Sequence, residues 1–551
     1  MNEALVGIKT ANWATVAVRR RVLVIAHNVT TVTRLLDVLP AFENDFRVQV
    51  VFTCAKDPFQ HGLRELLDTV GVAVIPWAEA ERYEFDLVVT ASHHGGIADM
   101  TGPKVILSHG IGYTKYSPGN RKPETGNRKP ETGNRKPETG NRQIFGLSPQ
   151  WLLYDGEPIA ESFILSHTAQ LDLLTETVPA AAEKAVVAGD PCYDRILAGL
   201  PYRERYREAL GSGDRKVVLT SSTWWSNALL GSWPDFLRTL LAALPIDEFQ
   251  VLAVVHPNVR HGHSPWQLNT WLADCVRSGL VVLSEVDDWQ AGLAAADLIV
   301  GDHGSVTGYG AALGKPTALA AFGDDDVAPG TAISALGETA PRLDRRRPLL
   351  PQVRSILDEY RPGDFAGVAE LVTSVPGESL QRLRGVFYRV LGLSEPTNEI
   401  PLGPPPAPRL AILPSHRVAA EVHHETDRAG RLVRLTRYPA ELRRGAEADP
   451  HLSCPDDHPL RSIRSGASVL TGTNVVAGLR AGVVGAVLGE GKSVVTAPSG
   501  RRVELSGPGP VEVHASVVRA WLDDGHPLEE LAPSITVELG SGRYGLDVTL
   551  R

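Results

Sequence analysis

The sequence predicts an α/β protein of two doubly wound, parallel-sheet domains facing a cleft, followed by a small β-rich domain. Three observations carry this. Compact apolar runs alternate with helical stretches from about residue 21 onward, and the alternation restarts near residue 216. A proline-rich stretch at 402–408 (LGPPPAP) then precedes a region of turn signals and short strand-like runs. Strands that alternate with helices form βαβ units and hence parallel sheets.

In the first series the runs are 21–26 (RVLVIA), 47–53 (RVQVVFT), 72–75 (VAVI), 86–90 (DLVVT) and 104–107 (KVIL). Their near-continuous apolarity suits strands buried on both faces. Helical spacing fills 33–42 and 60–70. In the second series the runs are 216–220, 250–255, 280–283, 297–300 and 317–320, with helical stretches at 234–244, 266–277 and 288–296. The expected division is 1–200, 201–400, a stiff extended linker at 401–408 and a β-rich domain at 409–551. In that last region, turn signals at 427–430 (DRAG), 489–492 (GEGK) and 498–501 (PSGR) separate runs such as VHHET, RLVRLT, SVVTA and ITVEL, with one helix near 514–523.

Composition narrows the function. With 551 residues, 43% hydrophobic and 22% charged, the chain has ample core material, which excludes long disorder and a collagen-like chain. A net charge of −9 gives no global field to recruit nucleic acid, and at most peripheral membrane association is expected. Cys54, Cys192, Cys275 and Cys454 lie far apart, without metal-ligand spacing, as expected of reduced thiols in a cytoplasmic protein. The N-terminus lacks a leader pattern, and the apolar stretch 475–488 is short and broken by Arg480.

Chemistry-bearing residues cluster where strands end. Ser108-His109-Gly110 follows a strand of the first series, where functional loops of open α/β sheets lie. A neutral imidazole there is suited to take a proton from a hydroxyl. His256-Pro257 ends a strand of the second series, with proline fixing the chain direction just after the histidine. Residues 301–310 (GDHGSVTGYG) follow another strand and open a helix whose first-turn amides suit a diphosphate, with Ser305 adding a hydroxyl. Neither a Walker loop nor a GxGxxG follows the first strand.

Together these stretches resemble the CDP-glycerol glycerophosphotransferases of teichoic-acid synthesis. The resemblance runs from about 100 to 325. His109-Gly110 stands at that family's HG motif, with Lys115 near its downstream lysine. Residues 163–166 (FILS) are similar to its strand-and-serine, and 189–197 (GDPCYDRIL) to its GxPRxDxL stretch. Residues 218–224 (VLTSSTW) are similar to ILYAPTW, His256-Pro257 to HP, and 288–305 to the helix–strand–DYSS block, with a Lys315-Pro316 pair beyond. The chain departs from the pattern at Cys192, in the arginine place, and at Gly304, in a serine place.

The resemblance implies a GT-B-like fold of two Rossmann-like domains. It also implies metal-independent transfer of a glycerophosphate or glycosyl group from a nucleotide-activated donor to a hydroxyl acceptor in cell-envelope polymer synthesis. His109 and His256 are the expected catalytic residues. Thr223, Pro257, Asp302, His303, Gly304 and Ser305 are expected to hold the nucleotide diphosphate, and Gly110 and Lys115 to lie on the acceptor side. No cofactor beyond the donor is expected; the acceptor would be an anionic polymer or a lipid-linked glycan. Two alternatives stay open: a UDP-sugar epimerase-type isomerase, and a catalytically degenerate nucleotide-binding or scaffold protein.

Other conspicuous residues read as structural. Trp224, Trp225 and Trp233 are expected to pack at the domain junction, and Asp324–Asp326 to form a solvated turn. His423, His424, His451 and His458 are expected at the surface, without metal-ligand company. Residues 120–142 repeat NRKPETG three times and close with NR, carrying 7 Lys+Arg against 3 Glu. With proline at every seventh place and no large apolar residue, this segment builds no core. It reads either as a neutral loop expansion or as a basic arm gathering an anionic acceptor.

Overall fold

A computed structural model describes residues 16, 18–55, 60–117, 142–284, 286–410, 417–427, 429–443, 450–473, 475 and 480–551. The NRKPETG repeats lie outside the described residues, apart from the closing Arg142. No helix among the described residues is long and apolar enough to cross a membrane.

The first sheet holds β1 (Arg20–Ala26), β2 (Val48–Cys54), β3 (Val74–Ile75), β4 (Leu87–Thr90) and β5 (Lys104–Ile106). A small hairpin, β6 (Leu153–Tyr154) with β7 (Glu157–Pro158), stands apart. β8 (Ser162–Leu165) and β9 (Ala185–Val187) complete a seven-stranded sheet in the order β3-β2-β1-β4-β5-β8-β9, with every pairing parallel. Val22 to Ala26 are buried throughout, as their unbroken apolarity requires.

The second sheet holds β10 (Lys216–Ser222), β11 (Phe249–Val255), β12 (Val281–Val282), β13 (Leu298–Gly301) and β14 (Thr317–Leu319). It is parallel, in the order β12-β11-β10-β13-β14. In each sheet the order reverses beside the first strand, between β1 and β4 and between β10 and β13. A doubly wound sheet opens a crevice at such a reversal, beyond the carboxyl ends of the strands.

The chain crosses between the units twice, in a way the division at 200 and 400 does not anticipate. Helix Pro191–Gly199 buries Cys192, Tyr193 and Ile196 in the core of the second unit. Helix Ser379–Leu391 returns to the first unit, where Leu383, Val386 and Phe387 pack with Val22, Val24 and Val89. Its apolar face is matched to that sheet, and Arg20 Nε donates to the Leu391 carbonyl at 2.6 Å. The proline stretch is anchored too: Tyr206 Oη donates to the Pro405 carbonyl at 2.7 Å.

Beyond residue 417 the chain forms a closed nine-stranded barrel. Its strands are β15 (Ala420–Thr426), β16 (Leu432–Pro439), β17 (His451–Pro455), β18 (Val469–Gly472), β19 (Val484–Gly489), β20 (Lys492–Thr496), β21 (Arg502–Ser506), β22 (Ser534–Leu539) and β23 (Gly542–Leu550). The expected turns are the β15–β16, β19–β20 and β20–β21 hairpins. At the second of these Gly491 has φ 64, a left-handed conformation that glycine adopts without steric cost. Helix His514–Asp523 packs against strands β15 to β20 and buries Val517, Val518 and Trp521 in the barrel core.

The barrel docks on the second unit through charge. Arg437 of β16, 4% exposed, donates from Nε and Nη2 to the Asp247 carboxylate at 2.8 and 2.6 Å, with Glu512 at 3.8 Å. Removing one partner of a buried pair strands the other charge and costs about 3–5 kcal/mol. Arg437→Ala should therefore loosen the barrel from the second unit. Limited proteolysis should then release it by cleavage before residue 420, where the wild-type chain resists.

Candidate active site

The carboxyl ends of the two sheets meet through the loop after β5. Ile111 N–H donates to Ser305 Oγ at 3.3 Å, Tyr116 N–H to the Asp326 carbonyl at 3.0 Å, and Ala328 N–H to the Thr114 carbonyl at 2.9 Å. Gly110 is required by this approach, since a Cβ there would stand 2.9 Å from Ser305 Oγ. Ser117 N–H donates to the Gln143 carbonyl at 2.7 Å, so the described residues flanking the repeats meet at this rim. Arg142 binds the same rim, its guanidinium 5.4 Å over the Tyr116 ring.

His109 lies in the loop after β5 with its ring open to solvent. Its Nδ1 is 3.0 Å from the Ala91 carbonyl. A carbonyl only accepts, so Nδ1 carries the proton and Nε2 presents a bare lone pair. Desolvation by the cleft walls, with the His94, Arg34 and Lys115 charges, pulls its pKa below the ordinary value, against the Ala91 hydrogen bond. The imidazole is thus neutral at pH 7.

His256 has the opposite tautomer. It ends β11 and caps helix Pro257–Gly262, its Nδ1 accepting from Asn258 N–H at 3.1 Å. Nε2 therefore carries the proton and is a donor. Desolvation, then Lys115 and His109, lower its pKa to about 3. Pro257 occupies the first turn, where its missing N–H costs nothing. The cleft thus brings together a neutral acceptor and a neutral donor.

Lys115, expected on the acceptor side, stands at the junction. Burial lowers its pKa, while Asp302 and Asp326 of the second unit pull upward. Its charge in turn depresses His109, His256 and His303. The loop carrying it runs across onto residues 323–328 rather than staying over the first sheet.

Asp302 has a different task from the expected phosphate contact. It is wholly buried, and its carboxylate accepts from Thr223 N–H at 2.8 Å, Leu229 N–H at 2.9 Å and Gly304 N–H at 3.0 Å. A carboxylate so committed repels rather than binds phosphate. It braces the loop after β10 against the loop after β13, across the reversal of the second sheet. Thr223 is buried and takes part through its backbone. His303 accepts at Nδ1 from Gly323 N–H at 3.2 Å and holds the neighbouring loop.

What remains open at this reversal is the start of helix Ser305–Ala312, which has no side-chain cap. Uncapped first-turn amides at the positive end of a helix suit an anion. The departure at Gly304 has a steric reason: a Cβ would meet Asp302 Oδ1 at 3.0 Å and Thr223 Cβ at 3.2 Å. Gly304→Ala should displace the Asp302 brace and cost about 1–3 kcal/mol, the usual price of overpacking, read as a lower midpoint in urea unfolding.

Several residues of this region escape the sequence reading. His27 ends β1 and donates from Nε2 to the His94 carbonyl at 2.7 Å; His93 and His94 follow β4. Burial lowers His27 to about 4 and His93 to about 3, so these rings, like His109, stay uncharged. Their places just after strands beside the reversal of the first sheet were the signal available. The tryptophans divide: Trp233 is buried, but Trp225 is 57% exposed. It stacks on Trp224 at 4.3 Å, which in turn stacks on His256 at 6.2 Å, so this pair lines the cleft rather than the core. Asp324–Asp326 is an exposed turn, with Asp324 paired to Arg342 at 2.9 Å.

No family model and no curated protein matches the chain. Among solved structures, the chain is similar to the wall teichoic acid polymerase TagF, at 12% identity over 68% of this chain and 90% of that one, with a TM-score of 0.46. It is also similar to HepE of Anabaena in complex with UDP-glucose, at 13% identity over 68% of this chain and 99% of that one, with a TM-score of 0.39.

Proposed function

We propose that the two α/β units transfer a glycerophosphate or glycosyl group from a nucleotide-activated donor, CDP-glycerol-like in the first instance, to a hydroxyl acceptor of a cell-envelope polymer. The observation that carries this reading is the pair of neutral imidazoles with opposite tautomers in one cleft, His109 with a bare Nε2 and His256 with a protonated one. The motif resemblance at His109-Gly110, His256-Pro257 and 288–305 supports the same assignment.

In this reading the acceptor O–H donates to His109 Nε2. As the oxygen attacks the donor, its proton passes to that nitrogen. Negative charge develops on the departing nucleotide phosphate. His256 Nε2–H, Lys115 and the first amides of helix Ser305–Ala312 meet it. Such donors carry a good leaving group, so positioning, one base and preorganised donors suffice for catalysis. The exposed Trp225 face beside His256 offers a platform for a base or sugar ring.

Calorimetry on the full chain with CDP, UDP, CDP-glycerol and UDP-glucose tests the proposal, followed by product analysis with a polyol acceptor. Binding of one nucleotide class and appearance of a transferred product are expected. An altered sugar released without acceptor would assign an isomerase instead, and no binding at all would sink the proposal.

A further inference from the structure

The barrel holds a side-chain constellation that the transfer reaction does not use. Along β15, Ala420 and Val422 are 1% and 0% exposed, and His424 is the next residue on that inward-facing row. β17 pairs with it antiparallel, Val422 opposite His451. Strand alternation therefore sets both imidazoles on the same face near the same end of the pair. Helix His514–Asp523 packs against both strands, and its last residue brings a carboxylate to that end. One ligand atom each from His424, His451 and Asp523 lies within 4.8 Å of the others.

A second observation points to a ligand. His451 is 3% exposed, yet neither of its ring nitrogens has a hydrogen-bond partner. Asp523 Oδ2, at 3.9 Å from its Nδ1, is too distant for a hydrogen bond. Buried polar groups are ordinarily satisfied, so this side chain is poised for a partner other than a protein hydrogen bond. The surroundings favour a cation. The carboxylate sits at the negative end of the helix, and Asp524 Oδ1 stands 3.5 Å from His424 Nε2. Arg519 donates from Nε and Nη2 to the two Asp523 oxygens at 3.0 and 2.7 Å. It leaves lone pairs on each oxygen and fixes the carboxylate's orientation, as an outer partner of a metal ligand does.

We propose that His424, His451 and Asp523 bind a divalent transition-metal ion, Zn2+ above all, as a clasp between helix His514–Asp523 and strands β15 and β17. Two imidazoles and a carboxylate form a ligand set suited to zinc. Tetrahedral ligands at zinc distances lie about 3.4 Å apart, so the group must draw in by roughly an ångström. His424 is half-buried and Asp523 exposed at a helix end, so both can move. Asp524 or water completes the fourth position. The expectation that His424 and His451 are surface residues without ligand company is thereby corrected. The barrel joins positions 424, 451 and 523, which the chain keeps far apart, and His458 is also buried.

The test uses the full chain, stripped with EDTA and exchanged into chelator-free buffer. Zn2+ is titrated by calorimetry, and Co2+ by its visible absorption. One saturable equivalent with the absorption of tetrahedral Co2+ is expected, with the barrel's melting transition raised by Zn2+ through mass action. His451→Ala should abolish this site, and Asp523→Asn should weaken it about tenfold or more. His424→Ala, at a half-buried position, guards against misfolding: with an unchanged circular dichroism spectrum it should also lose the Co2+ bands. Absence of those bands in the wild-type protein would overturn the proposal, as would their persistence in His424→Ala and His451→Ala.

Discussion

Asp190→Ala should be the most destabilising single substitution in the two α/β units, costing about 3–5 kcal/mol and lowering the urea midpoint accordingly. Asp190 is 3% exposed and meets three elements at once. Its Oδ1 accepts from Arg34 Nη1 at 2.8 Å, and from Cys192 and Tyr193 N–H at 3.0 and 3.1 Å, capping helix Pro191–Gly199. Its Oδ2 accepts from Tyr309 Oη at 2.6 Å, and Arg34 Nη2 donates to the same hydroxyl at 2.8 Å. Arg34 belongs to helix Val29–Leu36 beside the reversal of the first sheet, and Tyr309 to the helix whose start faces the cleft. Truncation would leave a guanidinium, 6% exposed, without its counter-charge, and a helix without its cap. Asp190→Asn keeps an acceptor oxygen but loses the charge, so it should fall between wild type and Asp190→Ala. Equal midpoints for Asp190→Asn and wild type would show that hydrogen bonding alone holds the junction.

Why the α/β units were legible in sequence follows from their burial. A strand covered on both faces must be apolar throughout, so β1, β2, β4, β5, β10, β11 and β13 stood out as runs. β9 did not, because Ala185–Val187 is three half-buried residues between a charged pair and a turn. The crossings of helices Pro191–Gly199 and Ser379–Leu391 were illegible for another reason. An amphipathic helix records that it has a partner but not which sheet that partner is.

The candidate site divides similarly. Position after a strand marked His109 and His256, because chain direction alone brings such residues to the carboxyl edge. Residue type alone misassigned Asp302: a carboxylate beside glycines at a helix start resembles a ligand contact, and only its backbone partners show it to be a brace. Arg34 had no local signal, since its partners lie 156 and 275 residues along the chain. The barrel histidines were lost for the same reason. Closing a sheet into a barrel sets neighbours by register, which no short window of sequence encodes.

Replacing His109 with Ala should lower the rate of group transfer by about 10²–10⁴-fold, the range expected for loss of a general base. The fall should appear in kcat far more than in donor KM, since His109 meets the acceptor hydroxyl while the donor phosphates are met by His256, Lys115 and the helix start. The pH profile separates base from scaffold. A histidine base works only when neutral, and a free imidazole titrates near about 6.5. Desolvation in the cleft and the nearby His94, Arg34 and Lys115 charges displace His109 downward. The acid limb of kcat/KM should therefore lie below that ordinary value, with the rate flat across neutral pH. Lys115→Gln removes one of the depressing charges, so the limb should move upward toward the ordinary value. That shift distinguishes titration of His109 from acid unfolding, which loss of a half-buried lysine charge would not displace in the same direction. An acid limb that stays in place in Lys115→Gln and persists in His109→Ala would assign the proton transfer to another group.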